Sequence, residues 1–240
     1  MTMAEKNSVK KRVKRVTEKP AVGPRVKKAK SARALANQNA KHRDRRTFIM
    51  THAARLFAEK SYTTTSMDDL SAATKLNKST LYYYYKTKSA ILYDMCTSGQ
   101  VSLLDLITPA TKMDSAVDGM THIIYVLVKW AIQNNLYARI FSQEARHFKS
   151  IFSKAEYSFL NERRKKFIEI IYEVLGKGCA SGEFRPLDVE ETSGFIIGLT
   201  FWRYPWPDNE FWQYPWPGHE IDIDSAVASV SEFIFRAIQR

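Results

Sequence analysis

Two short helix-forming segments separated by about three residues constrain this chain more than any other feature. They lie in "SMDDLSAATKLNKSTLYYYYKTKSA", residues 66–90. Thr65 or Ser66 is followed three residues on by Asp68 or Asp69, the pattern of a hydroxyl N-cap answered by a carboxylate. Those acids also fall in a first turn, where the helix dipole favours them. The pattern predicts a short helix ending near Thr74. Asn77 is a good N-cap for the next, from Lys78 to about Lys86, so that only Lys75 to Asn77 connect the pair. That is helix-turn-helix spacing. Thr87 begins a further helix with Ala90, Ile91, Leu92 and Met95 on its buried side. Upstream, Phe48, Ile49, Ala53, Leu56 and Phe57 recur at helical spacing from Asp44 to about Lys60, which predicts a helix there.

The second helix of the pair carries four adjacent tyrosines, Tyr82 to Tyr85. They cannot all point into one core. Leu81 and Tyr85 lie four apart and share a face, which can pack on the first helix through Leu70 and Ala73. Tyr82 and Tyr83 turn away with Lys78 and Ser79, and Tyr84 lies at the margin. No acid occurs between Lys75 and Lys88. A helix side of Lys, Ser, Thr and Tyr suits an anion: hydroxyls donate to phosphate oxygens, lysines add charge, and the helix N-terminus adds a partial positive charge. A solvated helix with one aromatic stripe in the core accounts for Leu81 and Tyr85 but leaves the adjacent Tyr82 and Tyr83 unexplained.

Residues 45–92, "RRTFIMTHAARLFAEKSYTTTSMDDLSAATKLNKSTLYYYYKTKSAIL", contain a helix with an Ala-x-x-Leu-Phe run, a Thr-Ser cap, an Asp-Leu-Ser-Ala-Ala helix and a Lys-x-Thr-Leu-Tyr-Tyr-x-aromatic-x-x-Lys stretch, in order and without a gap. This segment resembles the TetR family of one-component transcriptional repressors. The resemblance implies an all-α fold: an N-terminal three-helix helix-turn-helix domain followed by a larger helical domain that dimerises and often holds a small ligand. It implies that Thr65 and Ser66 touch phosphate, that Lys78, Ser79 and Thr80 approach bases and phosphate, that Tyr82 and Tyr83 hold the backbone, and that Lys88 holds phosphate at the start of the next helix. Three positions depart from the family pattern. Ser61 and Lys75 stand where the family usually has Gly, and Tyr84 replaces a common His. A non-glycine residue in a left-handed turn costs roughly 1 kcal/mol.

Charge sharpens this picture. The chain of 240 residues has a net charge of +12, yet residues 1–46 hold 16 Lys/Arg against 3 Asp/Glu, and the remainder holds 21 against 22. The basicity is therefore almost all N-terminal. Residues 1–40 show no sustained apolar periodicity and predict a flexible basic arm that tracks phosphates through counterion release; a solvated tail is the plainer reading. Residues 41–90 are then the DNA-binding domain and 91–240 the helical ligand-binding and dimerisation domain.

The C-terminal part predicts helices at roughly 115–136, 137–150, 155–181, 188–203 and 224–239, with Asp114, Asp188 and Asp224 as starts and Gly182 and Pro186 as a stop. Gly194 and Gly198 lie one turn apart in "VEETSGFIIGLTFW" and allow close helix approach. With the final "AVASVSEFIFRAI" they predict a four-helix homodimer interface, two helices from each subunit. The middle helices are rich in aromatics: Tyr125, Trp130, Tyr137, Phe141, Phe148, Phe152, Tyr157, Phe159, Phe167 and Tyr172. Such a stripe forms either core or the wall of an apolar pocket. Trp130, His147, Phe148 and Trp202 are the candidate lining. The effector expected there is a small molecule, acyl-CoA-like or aromatic. "WRYPWPDNEF" (202–211) is echoed by "WQYPWPGHEI" (212–221); burying its tryptophans against a helix or a second subunit avoids a large exposed apolar patch.

No nucleophile elbow, P-loop or dinucleotide glycine motif occurs, so no catalytic residue, metal ligand or cofactor is expected. Glu144 and His147 read as a surface ion pair. Cys96 and Cys179 are isolated, which argues against a disulfide framework or a zinc site. Neither a membrane span nor a secretory leader is apparent, and the expected setting is cytoplasmic. The partners expected are a double-stranded palindromic DNA operator and a second copy of the chain. The alternative is an architectural DNA-binding protein with a filled core and no ligand.

Overall fold

The computed structural model of the protein describes residues 24–202 and 222–239. Among them are ten α-helices: α1 (Pro24–Lys60), α2 (Met67–Thr74), α3 (Lys78–Tyr84), α4 (Lys88–Ile107), α5 (Ala116–Gln133), α6 (Asn135–Glu144), α7 (Phe148–Ile151), α8 (Lys154–Ser181), α9 (Val189–Trp202) and α10 (Ile223–Ile238). Short 3₁₀ turns span Thr108–Lys112 and Ala145–His147. No strand occurs among the described residues, apart from one isolated bridge between Phe184 and Gln239. The expected all-α class is the observed one.

The chain divides into two compact units, residues 1–47 and 48–240. In the first, residues 1–23 of the expected flexible arm lie outside the described residues. Its described backbone is helical from Pro24 rather than from Asp44. The cause is intrinsic propensity: proline suits a first helical position, and Arg25 to Arg46 is rich in Ala, Lys and Arg and free of Gly and Pro. No side chain from Ala36 to Thr47 is buried. A solvated helix needs no apolar periodicity, so the missing stripe carried no information about it.

The second unit holds two cores. One joins Ile49, Ala53 and Phe57 of α1 to Leu70, Leu81, Tyr85, Ile91, Leu92 and Met95, and runs on to Ile140, Phe148, Phe152 and Leu160. The other joins Leu103 and Ile107 to α5, α8, α9 and α10. The two ends of α4 thus sit in different cores, which makes it the beam shared by both. Burial of Leu81 and Tyr85 and of Ile91, Leu92 and Met95 matches the sequence reading.

Caps set the helix starts. Ser66 forms a reciprocal box with Asp69, Asn77 accepts from the Thr80 N–H, and Thr87 accepts from the Ala90 N–H. In the body, Ser115 and Asp222 cap α5 and α10 in place of the expected Asp114 and Asp224. Ser153 and Glu156 form a second capping box at α8. Asp188 accepts from the Glu191 N–H at 2.9 Å, as expected of a helix start. Gly182 ends α8 with φ +78°, a left-handed conformation. Just beyond it, Phe184 folds back over Gly178, where an added Cβ would lie 2.0 Å from the ring.

Candidate nucleic-acid interface and cavity

The helix-turn-helix positions depend on two left-handed residues. Ser61 has φ +71° and Lys75 φ +55°, so both departures from glycine fall where the backbone favours glycine. Lys75 closes α2, its N–H bonded to the Ala72 carbonyl. The chain then reverses, and α3 presents two sides. Leu81 is fully buried and Tyr85 is 2% exposed, whereas Tyr82 is 40% and Tyr83 67% exposed. Tyr84 lies between and meets the Tyr83 ring edge-on at 5.1 Å. Lys78 and Ser79 share the exposed side, and Thr80 is half-buried.

The candidate residues divide by what their donors already hold. Ser79 donates to Asn77 Oδ1 at 2.9 Å. Lys78 pairs with Asp68 at 2.7 Å in solvent, and its pKa is raised, first by the hydrogen bond to that carboxylate. Ser66 donates to Asp69 at 2.6 Å, a bond that is the leading cause of an Asp69 pKa near 2. Thr65 and Lys88 depart from the expected phosphate role. Thr65 is buried and donates inward to the Ser61 carbonyl at 2.8 Å. Lys88 sets its ammonium on the carbonyls of Tyr62, Thr63 and Thr65 at 2.6, 3.1 and 2.7 Å, and lies 4.4 Å from the centre of the Tyr62 ring. Those bonds use all three of its donors, and burial lowers its pKa. It braces the turn before α2 from inside.

A second feature lies in the body. A cavity of about 430 Å³ opens among α4, α5, α6, α8 and α9. Its apolar wall includes Leu92, Met95, Leu103, Trp130, Ile140, Phe141, Phe167 and Phe201. Trp130 stands 6.0 Å from Phe201, which in turn stands 6.3 Å edge-on from Phe167. Polar lining groups are few: Gln100, Tyr137, Ser142 and Arg164. Ser142 donates to the Ala138 carbonyl, and burial pushes the lining Cys96 thiol up to about 12, so it is neutral.

Of the four candidate lining residues, Trp130 is in place. His147 is exposed, 3.6 Å from Glu144. Phe148 is buried in the other core, against Phe141 and Phe152. The side chain of Trp202 and the duplicated loop lie outside the described side chains. Glu144 is itself buried, not the surface partner expected, because its helix end abuts the helix-turn-helix core. Among the described residues no group of three metal-binding side chains occurs. Nor is any described helix long and apolar enough to cross a membrane. Tyr137, Phe141 and Phe167 of the aromatic stripe also line the cavity, whereas Gln100 and Phe201 come from helices far apart in sequence, so no local pattern marks them.

Two bonds connect cavity and interface. The Tyr137 phenol is hydrogen-bonded to Thr51 of α1. Tyr85, at the end of α3, donates to Asp94 of α4.

A paired short-helix reader with a helical body behind it defines a DNA-binding regulator. The family model for bacterial regulatory proteins of the tetR family matches residues 49–95, and that for the tetracyclin repressor-like C-terminal domain matches residues 113–210. The chain belongs to the tetR family of transcriptional regulators. It is 22% identical over 170 residues, 68% of this chain and 78% of that protein, to the HTH-type transcriptional repressor KstR2 of Mycolicibacterium smegmatis. Its fold is shared with the ketosteroid transcriptional regulator KstR2 of Mycobacterium tuberculosis, with TM-score 0.72, 19% identity, and coverage of 82% of this chain and 95% of that one. It is shared also with AibR, solved with isovaleryl coenzyme A and operator DNA, with TM-score 0.65, 18% identity, and coverage of 80% and 98%.

Proposed function

We propose that this regulator is a repressor that binds an inverted-repeat operator as a homodimer and is released when a small lipophilic ligand fills the cavity. The observation that carries the reading is the division of α3: Leu81 and Tyr85 are sealed while Tyr82 and Tyr83 face out beside Lys78 and Ser79. That side meets phosphates and base edges of a major groove. Ser66 and Thr80 complete it, and the basic N-terminal residues add phosphate contacts.

Dimerisation is supported by the α9 and α10 surface. Phe195 is 63% and Phe233 64% exposed, and both line a groove with Leu199 and Gly198. A Cβ at Gly194 or Gly198 would meet nothing within 4 Å, so this side is open to a partner helix. Pairing there sets two α3 helices about one DNA turn apart.

A cavity of this size with an apolar wall and few polar groups favours a ligand-responsive protein over an architectural one. An acyl-CoA-like effector suits an apolar wall with Arg164 on it and Arg163, Lys165 and Lys166 beside it on α8, and AibR was solved with such a molecule. An aromatic effector suits the Trp130, Phe167 and Phe201 wall equally. Ligand binding shifts the population of α3 spacings. The coupling runs along α4 and through α6, whose Tyr137 touches Thr51 and whose Glu144 acts electrostatically on Lys88.

Footprinting on genomic fragments tests the reading. A protected inverted repeat, lost in the Tyr82→Phe/Tyr83→Phe double variant, is expected. Uniform coating of the DNA contradicts it and favours the architectural alternative.

A further inference from the structure

Four buried side-chain polar atoms lack a hydrogen-bond partner among the described residues: Gln100 Oε1, Arg139 Nε, Arg163 Nε and Ser231 Oγ. Of these residues only Gln100 lines the cavity. Its surroundings there are apolar: Leu103 follows on the same helix, and Met95, Trp130 and Phe201 share the wall. The other polar lining groups each hold a partner already: the Ser142 hydroxyl donates to a carbonyl, the Tyr137 phenol is bonded to Thr51, and the Arg164 guanidinium gives two of its five N–H groups to Asn161 Oδ1. A buried acceptor with no partner destabilises the folded state, and native proteins keep few of them. Such a group on the wall of an apolar cavity is satisfied by whatever enters.

We infer that Gln100 selects the effector, and that the molecule filling the cavity is an apolar body carrying a hydroxyl at the point that meets the Gln100 amide. This deepens, and rests on, the reading of the cavity as the effector site. A hydroxyl serves the amide in either orientation, donating to Oε1 or accepting from Nε2. A wholly saturated hydrocarbon tail leaves the acceptor unpaired and is rejected relative to its hydroxylated counterpart. The preference is for a partly oxidised lipid or ring compound over a plain alkyl chain.

Isosteric pairs that exchange hydroxyl for methyl isolate this contact. Calorimetric titration of the full chain with 2-naphthol against 2-methylnaphthalene, and with a positional series of monohydroxydodecanoic acids against the matching methyl-branched acids, gives the ratio directly. The hydroxylated member of at least one pair is expected to bind roughly tenfold tighter. Gln100→Leu and Gln100→Met should both erase that ratio, and should leave the Tm of the free protein unchanged or higher because an unpaired acceptor is gone. Equal binding within every pair, or a ratio that survives both substitutions, overturns the role of Gln100 while leaving the effector site in place. If no member of either series binds, the cavity reading falls and this inference falls with it.

Discussion

The recognition helix and the cavity are built in opposite ways. The exposed side of α3 comes from seven consecutive residues, Lys78 to Tyr84, whose roles follow from helical spacing and one cap. The cavity wall draws on residues from Leu92 to Phe201, and none of them is a neighbour of most of the others in the chain. The contrast shows that a surface can be encoded locally, whereas a void is encoded by what distant side chains fail to fill.

That contrast can be broken by substitution. The largest effect is expected from Gly178→Ala, far from DNA, where the new Cβ meets the Phe184 ring; we expect a loss of about 3 kcal/mol in chemical denaturation. An unchanged midpoint would show that this distant packing does not hold the body together. Glu183 comes next. Its carboxylate accepts from Ser115, Ser181 and the N–H groups of Ala116 and Val117, and the Ser115 bond leads in lowering its pKa from 4.5 to about 2. A carboxylate with a depressed folded pKa stabilises above its unfolded value and loses that contribution as pH falls. Glu183→Gln should therefore lower the Tm at pH 7, and the gap from the native chain should close between about pH 4.5 and 2. A gap that persists at pH 2 refutes the assignment.

On the local side, Tyr83→Phe should weaken operator binding about tenfold by loss of one hydrogen bond to a charged acceptor, with dimerisation unaltered by sedimentation; equal affinity removes Tyr83 from the phosphate contacts. Deleting residues 1–40 should lower operator affinity and flatten its dependence on salt, and an unaltered slope means that segment does not touch DNA. The smallest effect is reserved for Ser61→Gly and Lys75→Gly, each expected to stabilise by about 1 kcal/mol by relieving a left-handed non-glycine residue. No gain in either would show that the turn tolerates its side chain without strain.

Much of the helix-turn-helix was legible. Asn77 and Ser66 cap as their spacing implies, and the inward pair Leu81 and Tyr85 follows from a four-residue step. Two chemically suitable candidates were not where function would put them. Thr65 and Lys88 have the right donors, but carbonyls of the Ser61–Thr65 turn claim them first. In the body, Trp130 was found by its aromatic character and Gln100 was missed, since nothing in the run around Gln100 tells that its carbonyl lacks a partner. His147 and Phe148 were misplaced because the chain breaks at Ala145–His147 into a 3₁₀ turn, which rotates both away from the face that Ile140 and Phe141 share with the cavity.

The amino-acid order alone determined the helical class, the reading helix and its two sides, because hydrogen bonds four residues apart and caps three residues apart are short-range. Helix formation upstream as far as Pro24 was also local, a matter of propensity, and from Ala36 to Thr47 no side chain is buried. Only the folded chain decided which donors remain free, where the cavity lies and which polar atom it strands. Those outcomes depend on distances between residues that become neighbours only when α4, α5, α6, α8 and α9 pack together.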